Sequence, residues 1–300
     1  MTTPRVVVIG SVMVDRVVAV PAIVRPGETV AALGMAIHPG GKGANQAAAA
    51  SRAGAETIFA GRTGRDGGFV LDALRRLGVD VSAAHVDEGA SGTAFVQVDA
   101  TGQNAIAIVP EANARFDARD LDRAVSSIRP GDLVLLQNET AQLDEVVGAV
   151  RERGGRPWLN VAPVDPRPSA ATLAAVECLL VNESEAAALS GGESDPGEAL
   201  RILCDETAGR LVVVTLGADG ARAGRDDARW SQAAHEVEVL DTVGCGDAFI
   251  GAMAAWTVRG APEGAALAAA CAAGSLAATR RGAMPSMPDR AAIEAIVAGY

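Results

Sequence analysis

Asp241-Thr242-Val243-Gly244-Cys245-Gly246-Asp247 places two glycines around one small residue, with an aspartate directly after. The apolar run Ala-Phe-Ile-Gly-Ala-Met-Ala-Ala-Trp follows and predicts the start of a buried helix. A helix beginning there leaves backbone N–H groups free at its N-terminus, and glycine lets a ligand come close. Such a place suits an anion, phosphate above all. Asp247 then has two readings. It is an N-cap or first-turn residue that stabilises the helix, or a general base that deprotonates a hydroxyl attacking a phosphoryl group.

Four other segments carry groups of the same kind. His38-Pro39-Gly40-Gly41-Lys42-Gly43-Ala44-Asn45-Gln46 is a second glycine cluster running into a helix. It is not a Walker A loop, because Ala36 stands where the first glycine belongs and Gly43 replaces the Ser or Thr after the lysine. Lys42 suits phosphate or sugar hydroxyls, and Asn45 can donate and accept as a polyol requires. A plain turn with a solvated lysine is the alternative. In Gly10-Ser11-Val12-Met13-Val14-Asp15, the carboxylate of Asp15 could accept two hydroxyls of a vicinal diol; the alternative is an ordinary turn aspartate. Asn182-Glu183-Ser184-Glu185 suits magnesium or its water shell, or a helix start capped by Asn182 or Ser184, and both can hold together. Thr215-Leu216-Gly217-Ala218-Asp219-Gly220 would let a nucleotide lie against backbone, or is a simple βα or hairpin turn.

The elements that must position these groups follow from the hydrophobic pattern. Strands are predicted at Val6–Ile9, Thr57–Ala60, Leu133–Gln137, Pro157–Asn160, Cys178–Val181 and Leu211–Thr215. Helices are predicted over 43–53, 69–77, 143–153 and 170–176, with a packing helix within 261–278. This alternation implies an α/β fold with a parallel sheet and helices on both faces, and ligands then sit outside the carboxyl ends of the strands. Two segments break the rhythm. Val17–Val20 and Glu28–Met35 are strand-like, as are Thr93–Val98 and Asn104–Val109, the latter pair joined by a turn at Asp99-Ala100-Thr101-Gly102. No helix separates them, so antiparallel pairing is expected, in a small sheet formed by roughly 12–38 and 91–110 that acts as a lid or a dimer contact.

Composition narrows the partners. The 300 residues are 49% hydrophobic but only 3% aromatic, which disfavours base-stacking platforms for single-stranded nucleic acid. A net charge of −11 disfavours nucleic acid and anionic membranes. Cys178, Cys204, Cys245 and Cys271 are scattered with no CxxC pair, so a reduced cytoplasmic protein without a zinc site is expected. The apolar stretch near Met1 is too short for a signal peptide, and no run is long enough to span a bilayer.

Taken together and in order, the motifs Gly40–Ala47, Asn182–Glu185, Thr215–Gly220 and Asp241–Ala252, with the closing stretch Ala277–Ser286, resemble the ribokinase branch of the PfkB family of carbohydrate kinases over essentially the whole chain. The resemblance implies a Rossmann-like sheet with a β-lid, one domain over residues 1–300, and a homodimer through that lid. It implies transfer of the γ-phosphoryl group of ATP to the 5-hydroxyl of a pentose, ribose foremost. A nucleoside or hexose kinase of the same family, or a catalytically silent sugar-binding regulator, are the rivals. Asp247 would be the base, and the N–H groups of Gly244, Cys245 and Gly246 the anion hole. Asp15, Gly41, Lys42, Gly43, Asn45 and Glu139 would contact the sugar. Asn182, Thr215, Gly217, Gly220 and Gly246 would contact ATP, with Cys271 near the adenine. Glu185 would organise Mg2+ through water, and Asp241, Val243, Ala277, Arg280, Gly282 and Ser286 would hold K+. Three positions depart from the branch. Met13 stands where ribokinases carry asparagine and is similar to the deoxyribokinases, which makes 2-deoxyribose a candidate substrate beside ribose; the alternative is that Met13 merely packs under the lid and the substrate is still ribose. Cys245 replaces an alanine, placing in the anion hole a thiol open to alkylation or oxidation, and Cys271 replaces a histidine.

Overall fold

The structure is a computed structural model that describes residues 3–101 and 103–298. In chain order, β1 (Val6–Ile9) leads to β2 (Met13–Ala19) and β3 (Gly34–Gly40), then α1 (Lys42–Arg52) and β4 (Thr57–Ala60). Next come β5 (Arg62–Gly64), α2 (Gly68–Arg76), β6 (His85–Asp87), β7 (Gly92–Val98), β8 (Asn104–Val109) and α3 (Ala118–Ser126). A regular alternation follows: β9 (Leu133–Gln137), α4 (Leu143–Glu152), β10 (Arg156–Asn160), α5 (Ala170–Ala175), β11 (Cys178–Asn182), α6 (Glu183–Leu189), α7 (Pro196–Glu206) and β12 (Leu211–Thr215). The chain ends with the hairpin β13 (Ala221–Arg225) and β14 (Ala228–Gln232), then α8 (Cys245–Val258), α9 (Glu263–Ala278), α10 (Ala283–Ser286) and α11 (Arg290–Val297).

The main sheet has eight strands in the order β14-β13-β12-β11-β10-β9-β1-β4. From β12 to β4 all neighbours are parallel, and β13 alone runs against them, pairing antiparallel with both β12 and β14. The parallel strands are continuous apolar runs because helices cover both faces. Val6, Val8, Leu133 and Leu135 pack into one core with α1, α2, α8 and α9. Val7, Ile9, Val134 and Leu136 pack into the other with α3 to α7. The expected α/β class and helix placement are therefore present. Among the described residues no helix is long and apolar enough to cross a membrane.

A separate four-stranded sheet, ordered β3-β2-β7-β8, forms from the two irregular segments. Its two hairpins are antiparallel as expected, but they join through a parallel β2–β7 pair. The second strand is also displaced from expectation: it covers Gly34–Gly40, not Glu28–Met35. His38-Pro39-Gly40 reads as loop, yet β3 is an edge strand, where proline costs no ladder bond. The Asp99–Gly102 turn is held by the Asp99 carboxylate, which accepts from the Thr101 and Gln103 N–H groups, while Gly102 itself lies outside the described residues.

Helices α1 and α8 cross at very short range through small residues. A Cβ added to Gly251 would lie 2.4 Å from the Ala49 Cβ, 2.7 Å from the Ala50 N and 2.8 Å from the Gln46 O. Backbone, not a flexible side chain, blocks that space. Gly251→Ala should therefore destabilise the protein by about 1–3 kcal/mol through overpacking, read as a lowered midpoint of thermal or urea unfolding. Gly148, on α4, meets nothing within 4 Å, so Gly148→Ala should instead stabilise by about 0.5–1 kcal/mol. Equal behaviour of the two variants would show that the crossing tolerates expansion.

Candidate active site

Both helices that meet at the crossing start from an unusual cap. Gly41 caps α1 with φ 98° and Gly244 caps α8 with φ 82°, and neither helix has a side-chain cap. A Cβ at Gly41 would lie 2.7 Å from the Ser11 carbonyl oxygen, and one at Gly244 2.8 Å from the Ala283 Cα. Glycine is required at both places by conformation and by space. Two helix N-termini thus open beside the carboxyl end of β1.

Asp247 sits in the first turn of α8. Its Oδ2 accepts from Asn45 Nδ2 at 3.0 Å and its Oδ1 from Gln46 Nε2 at 3.1 Å. Burial pushes its carboxyl up to about 6, although Lys42, Gln46 and Asn45 all favour the ionised form. Asp15, on β2, lies over Gly40, where a Cβ would overlap its carboxylate at 2.0 Å. Burial raises this carboxyl also to about 6, with the Asp247 charge adding to it. Lys42 pairs with Glu139 at 3.5 Å. Burial opposes the lysine charge, but Glu139 and Asp247 outweigh it and hold the ammonium above its ordinary value. Asp15, Lys42, Asn45, Glu139 and Asp247 thus form one cluster, as the sequence suggests. The chemistry open to it is removal of a hydroxyl proton beside an anion site.

The anion site itself differs in detail from expectation. Among the described residues no acceptor faces the N–H of Gly244 or of Gly246, but the Cys245 N–H points at the Thr242 carbonyl over 3.3 Å. The Cys245 thiol is directed at the Asp241 carbonyl, 3.9 Å away. Burial, then Asp241 and Asp247, push it up to about 11, which leaves almost no reactive thiolate at neutral pH.

The remaining residues lie along the strand ends. Asn182 and Thr215 are register partners on β11 and β12. Asn182 and Glu185 form a reciprocal capping box on α6, at 2.8 Å in each direction, so the capping reading of this motif is realised. Glu185 keeps one carboxylate oxygen outside that box, and burial raises its carboxyl while Lys42 lowers it. Gly217 and Gly220 form the tight turn of a β12–β13 hairpin. Cys271 is 4% exposed, with its thiol donating to the Gln232 carbonyl at 3.7 Å, so it packs α9 against the β14 edge. Asp241 ties two segments together: its Oδ1 accepts from Val243 N at 3.0 Å and its Oδ2 from Gly282 N at 2.8 Å. The Ala277 carbonyl accepts from Arg280 N, and the Ser286 hydroxyl donates to the Ala283 carbonyl.

Several polar groups at the site, Ser11 and Gln46 within the quoted motifs among them, have no role assigned by the sequence. Ser11 is buried and donates to Glu139 Oε2 at 2.6 Å, fixing the partner of Lys42. Asn113 clamps Val12 by both its N–H and its carbonyl, each at 2.9 Å, and its amide also faces the Met13 sulfur at 3.6 Å. Gln46, Gln137 and Asn160 form a buried chain behind Asp247. Their one sequence signal is a polar residue at the end of an apolar strand, or inside a helix of alanines.

Residues 3–290 match the model of the pfkB family carbohydrate kinase. The chain belongs to this family of carbohydrate kinases. It is 30% identical to a ribokinase of Haemophilus influenzae over 291 residues, covering 94% of this chain and 95% of that protein. It is 31% identical to a deoxyribokinase of Salmonella typhimurium, covering 95% of each. The solved structure of an Arabidopsis thaliana ribokinase complexed with ribose and ATP matches with a TM-score of 0.87, 31% identity and 99% coverage of both chains. In a carbohydrate kinase, the deeply set carboxylates have a cost that can be measured. Asp15 ionises near 6 when folded against an ordinary 3.8. Between those values the folded state binds the extra proton, so stability falls as pH rises through the window. Asp15→Asn should therefore raise Tm at pH 8 by about 2–4 °C, the shift that ~1 kcal/mol gives in a large domain. The gain should shrink toward pH 4. A lower Tm at pH 8 would contradict burial as the dominant cause.

Proposed function

We propose that this protein transfers the γ-phosphoryl group of ATP to the 5-hydroxyl of a pentose, ribose in the first instance. The observation that carries the reading is the Asp247 carboxylate, held by Asn45 and Gln46 at the mouth of α8 beside unpaired glycine N–H groups. In this reading Asp247 takes the hydroxyl proton as the sugar oxygen attacks the γ-phosphorus in line, and ADP leaves. The N–H groups of Gly244 and Gly246 face the charge on the transferring group, and the Cys245 N–H joins them by leaving its long bond to Thr242. Asp15, Gly41, Lys42, Gly43, Asn45 and Glu139 hold the sugar. Asn182, Thr215, Gly217 and Gly220 hold the nucleotide.

The residues fit Mg2+ brought by the nucleotide phosphates, since the free oxygen of Glu185 can hold its water shell. Bound there, the ion would neutralise phosphate charge. They also fit K+ near Asp241, because the Asp241 carboxylate already draws the 241–244 loop against Gly282. The other members of that set are Val243, Ala277, Arg280 and Ser286. Unpaired cysteines suit a cytoplasmic setting.

A second reading, 2-deoxyribose, is favoured by Met13. It is 5% exposed and offers the site a thioether, which cannot reward a sugar hydroxyl as an amide would. An ADP-release assay across ribose, 2-deoxyribose, fructose and adenosine, with and without potassium, tests both. Asp247→Ala should lose at least about 10²–10⁴-fold in turnover with sugar binding retained. Persistent turnover would refute the base assignment and reopen the reading as a silent sugar binder. Met13→Asn should shift preference toward ribose by about fivefold, the worth of one hydrogen bond. Strong rejection of 2-deoxyribose by the unmodified enzyme would remove the second reading.

The lid sheet supports a homodimer. Register places Met35, Ile37 and Phe95 on one face and Asp15, Ile106 and Ile108 on the other. Met35 is 64% and Phe95 46% exposed, with no core behind them. Sedimentation should give twice the chain mass, and Met35→Glu should reduce it to one chain; a monomeric wild type would refute the contact.

A further inference from the structure

Gln46 is fully buried and uses every hydrogen-bonding group of its amide. Nε2 donates to Asp247 Oδ1 at 3.1 Å and to Asn160 Oδ1 at 3.2 Å, and Oε1 accepts from Gln137 Nε2 at 2.8 Å. Gln137 and Asn160 are register partners at the ends of β9 and β10. Asn160 is anchored in turn by donating to the Leu180 carbonyl on β11 at 3.3 Å. Three amides therefore link the middle of the sheet to one oxygen of Asp247. The chain also fixes its own direction. Rotating the Gln46 amide would set its oxygen against the carboxylate and against Asn160 Oδ1, and its NH2 against the NH2 of Gln137. The other carboxylate oxygen has a different partner: Asn45, whose own Oδ1 is buried without a partner among the described residues.

We propose that Gln46 is a positioning residue for phosphoryl transfer, clamping Asp247 Oδ1 through the Gln137–Asn160 amide chain so that Oδ2 is the oxygen that receives the proton. This rests on the reading of Asp247 as the base. A carboxylate held on one oxygen from behind presents the other in a fixed direction, and in-line transfer depends on such orientation. The clamp also donates to the ionised carboxylate and so opposes the burial that raises its pKa. The charged groups facing Asp247 are Lys42 on α1, which favours its ionisation, Glu139 after β9, which disfavours it, and Asp15 on β2. On its own helix side the neighbours are Cys245 and, through it, Asp241.

The test is the pH dependence of kcat and kcat/KM for the sugar identified by the ADP-release assay. Gln46→Leu should lower kcat about 10- to 100-fold, leave KM for ATP within about threefold, and move the acid limb upward from its wild-type position. Gln46→Glu keeps the volume, and its added carboxylate should move the limb further up, with activity partly regained at higher pH. Should Gln46→Leu fail to fold, Asn160→Ala removes a link that does not touch Asp247 and should give a smaller shift of the same sign. An unchanged acid limb and kcat in a folded variant, with only a lowered Tm, would overturn the proposal by reducing Gln46 to packing. Asp247→Ala separates the two layers. If it is inactive while the Gln46 variants are unaltered, only the clamp fails; if it is active, the base reading fails first.

Discussion

The close crossing of α1 and α8 is the constraint from which the site follows. Asn45 and Gln46 lie about two-thirds of the chain away from Asp247 in sequence, yet both hydrogen-bond its carboxylate. Side-chain amides can span that gap only if the helix backbones nearly touch. Gly251 and the alanines of α1 permit this contact, with Ala44, Ala47, Ala48 and Ala50 fully buried along it. The low side-chain volume of these helices is therefore a requirement of the chemistry as well as of packing. The same contact explains the glycine caps. Side chains at Gly41 or Gly244 would push the helix starts off the Ser11–Met13 segment and off Ala283, and the two N-termini would no longer face one crevice.

Charge at the site is unbalanced in a way that fits phosphoryl transfer. Asp15, Glu139 and Asp247 surround a single cation, Lys42. A nucleotide phosphate brought into that field would be repelled unless backbone N–H groups and metal ions compensate. The helix N-termini supply the first kind of compensation, and the free oxygen of Glu185 suits the second. Burial, with a smaller contribution from Glu139, raises the candidate base to about 6, against the pull of Lys42, Gln46 and Asn45, and so makes it a better proton acceptor than an ordinary carboxylate. Lys42 is held to Glu139 and so stabilises the anionic carboxylates without neutralising either aspartate by direct contact.

Much of this was legible in the sequence, for physical reasons that also mark where legibility stopped. The parallel strands were readable because burial on both faces leaves uninterrupted runs such as Val6–Ile9 and Leu211–Thr215. The loop at Asp241–Asp247 alone was open to two readings, a helix cap or a base beside an anion site, and only its place in order with the other motifs favoured the second. The β3 strand was misplaced because Pro39 and Gly40 look like breakers, and only the edge position of that strand makes them harmless. The parallel join of the two lid hairpins depends on tertiary contact that no local pattern encodes. Gln46, Gln137, Asn160 and Asn113 were missed because an amide buried for positioning looks, in one sequence, like an amide on a surface.

The lid binds these threads together. Asp15 belongs to β2, and Gly40 at the end of β3 lies beneath its carboxylate, so the proposed sugar-binding carboxylate is part of the lid sheet itself. The root of that sheet is fixed at Val12 by Asn113, and Arg62 ties the adjoining segment through Asp87, Asp120 and the Arg115 carbonyl. Its far end exposes apolar residues on both faces. One face carries Asp15 and the other carries Met35, Ile37 and Phe95. A second copy seated on the Met35–Phe95 face would restrict how β2 swings, and with it the direction of Asp15. Assembly and sugar recognition would then share one pair of strands, and the geometry of the sugar subsite would depend on what lies behind the lid as much as on what lies beneath it.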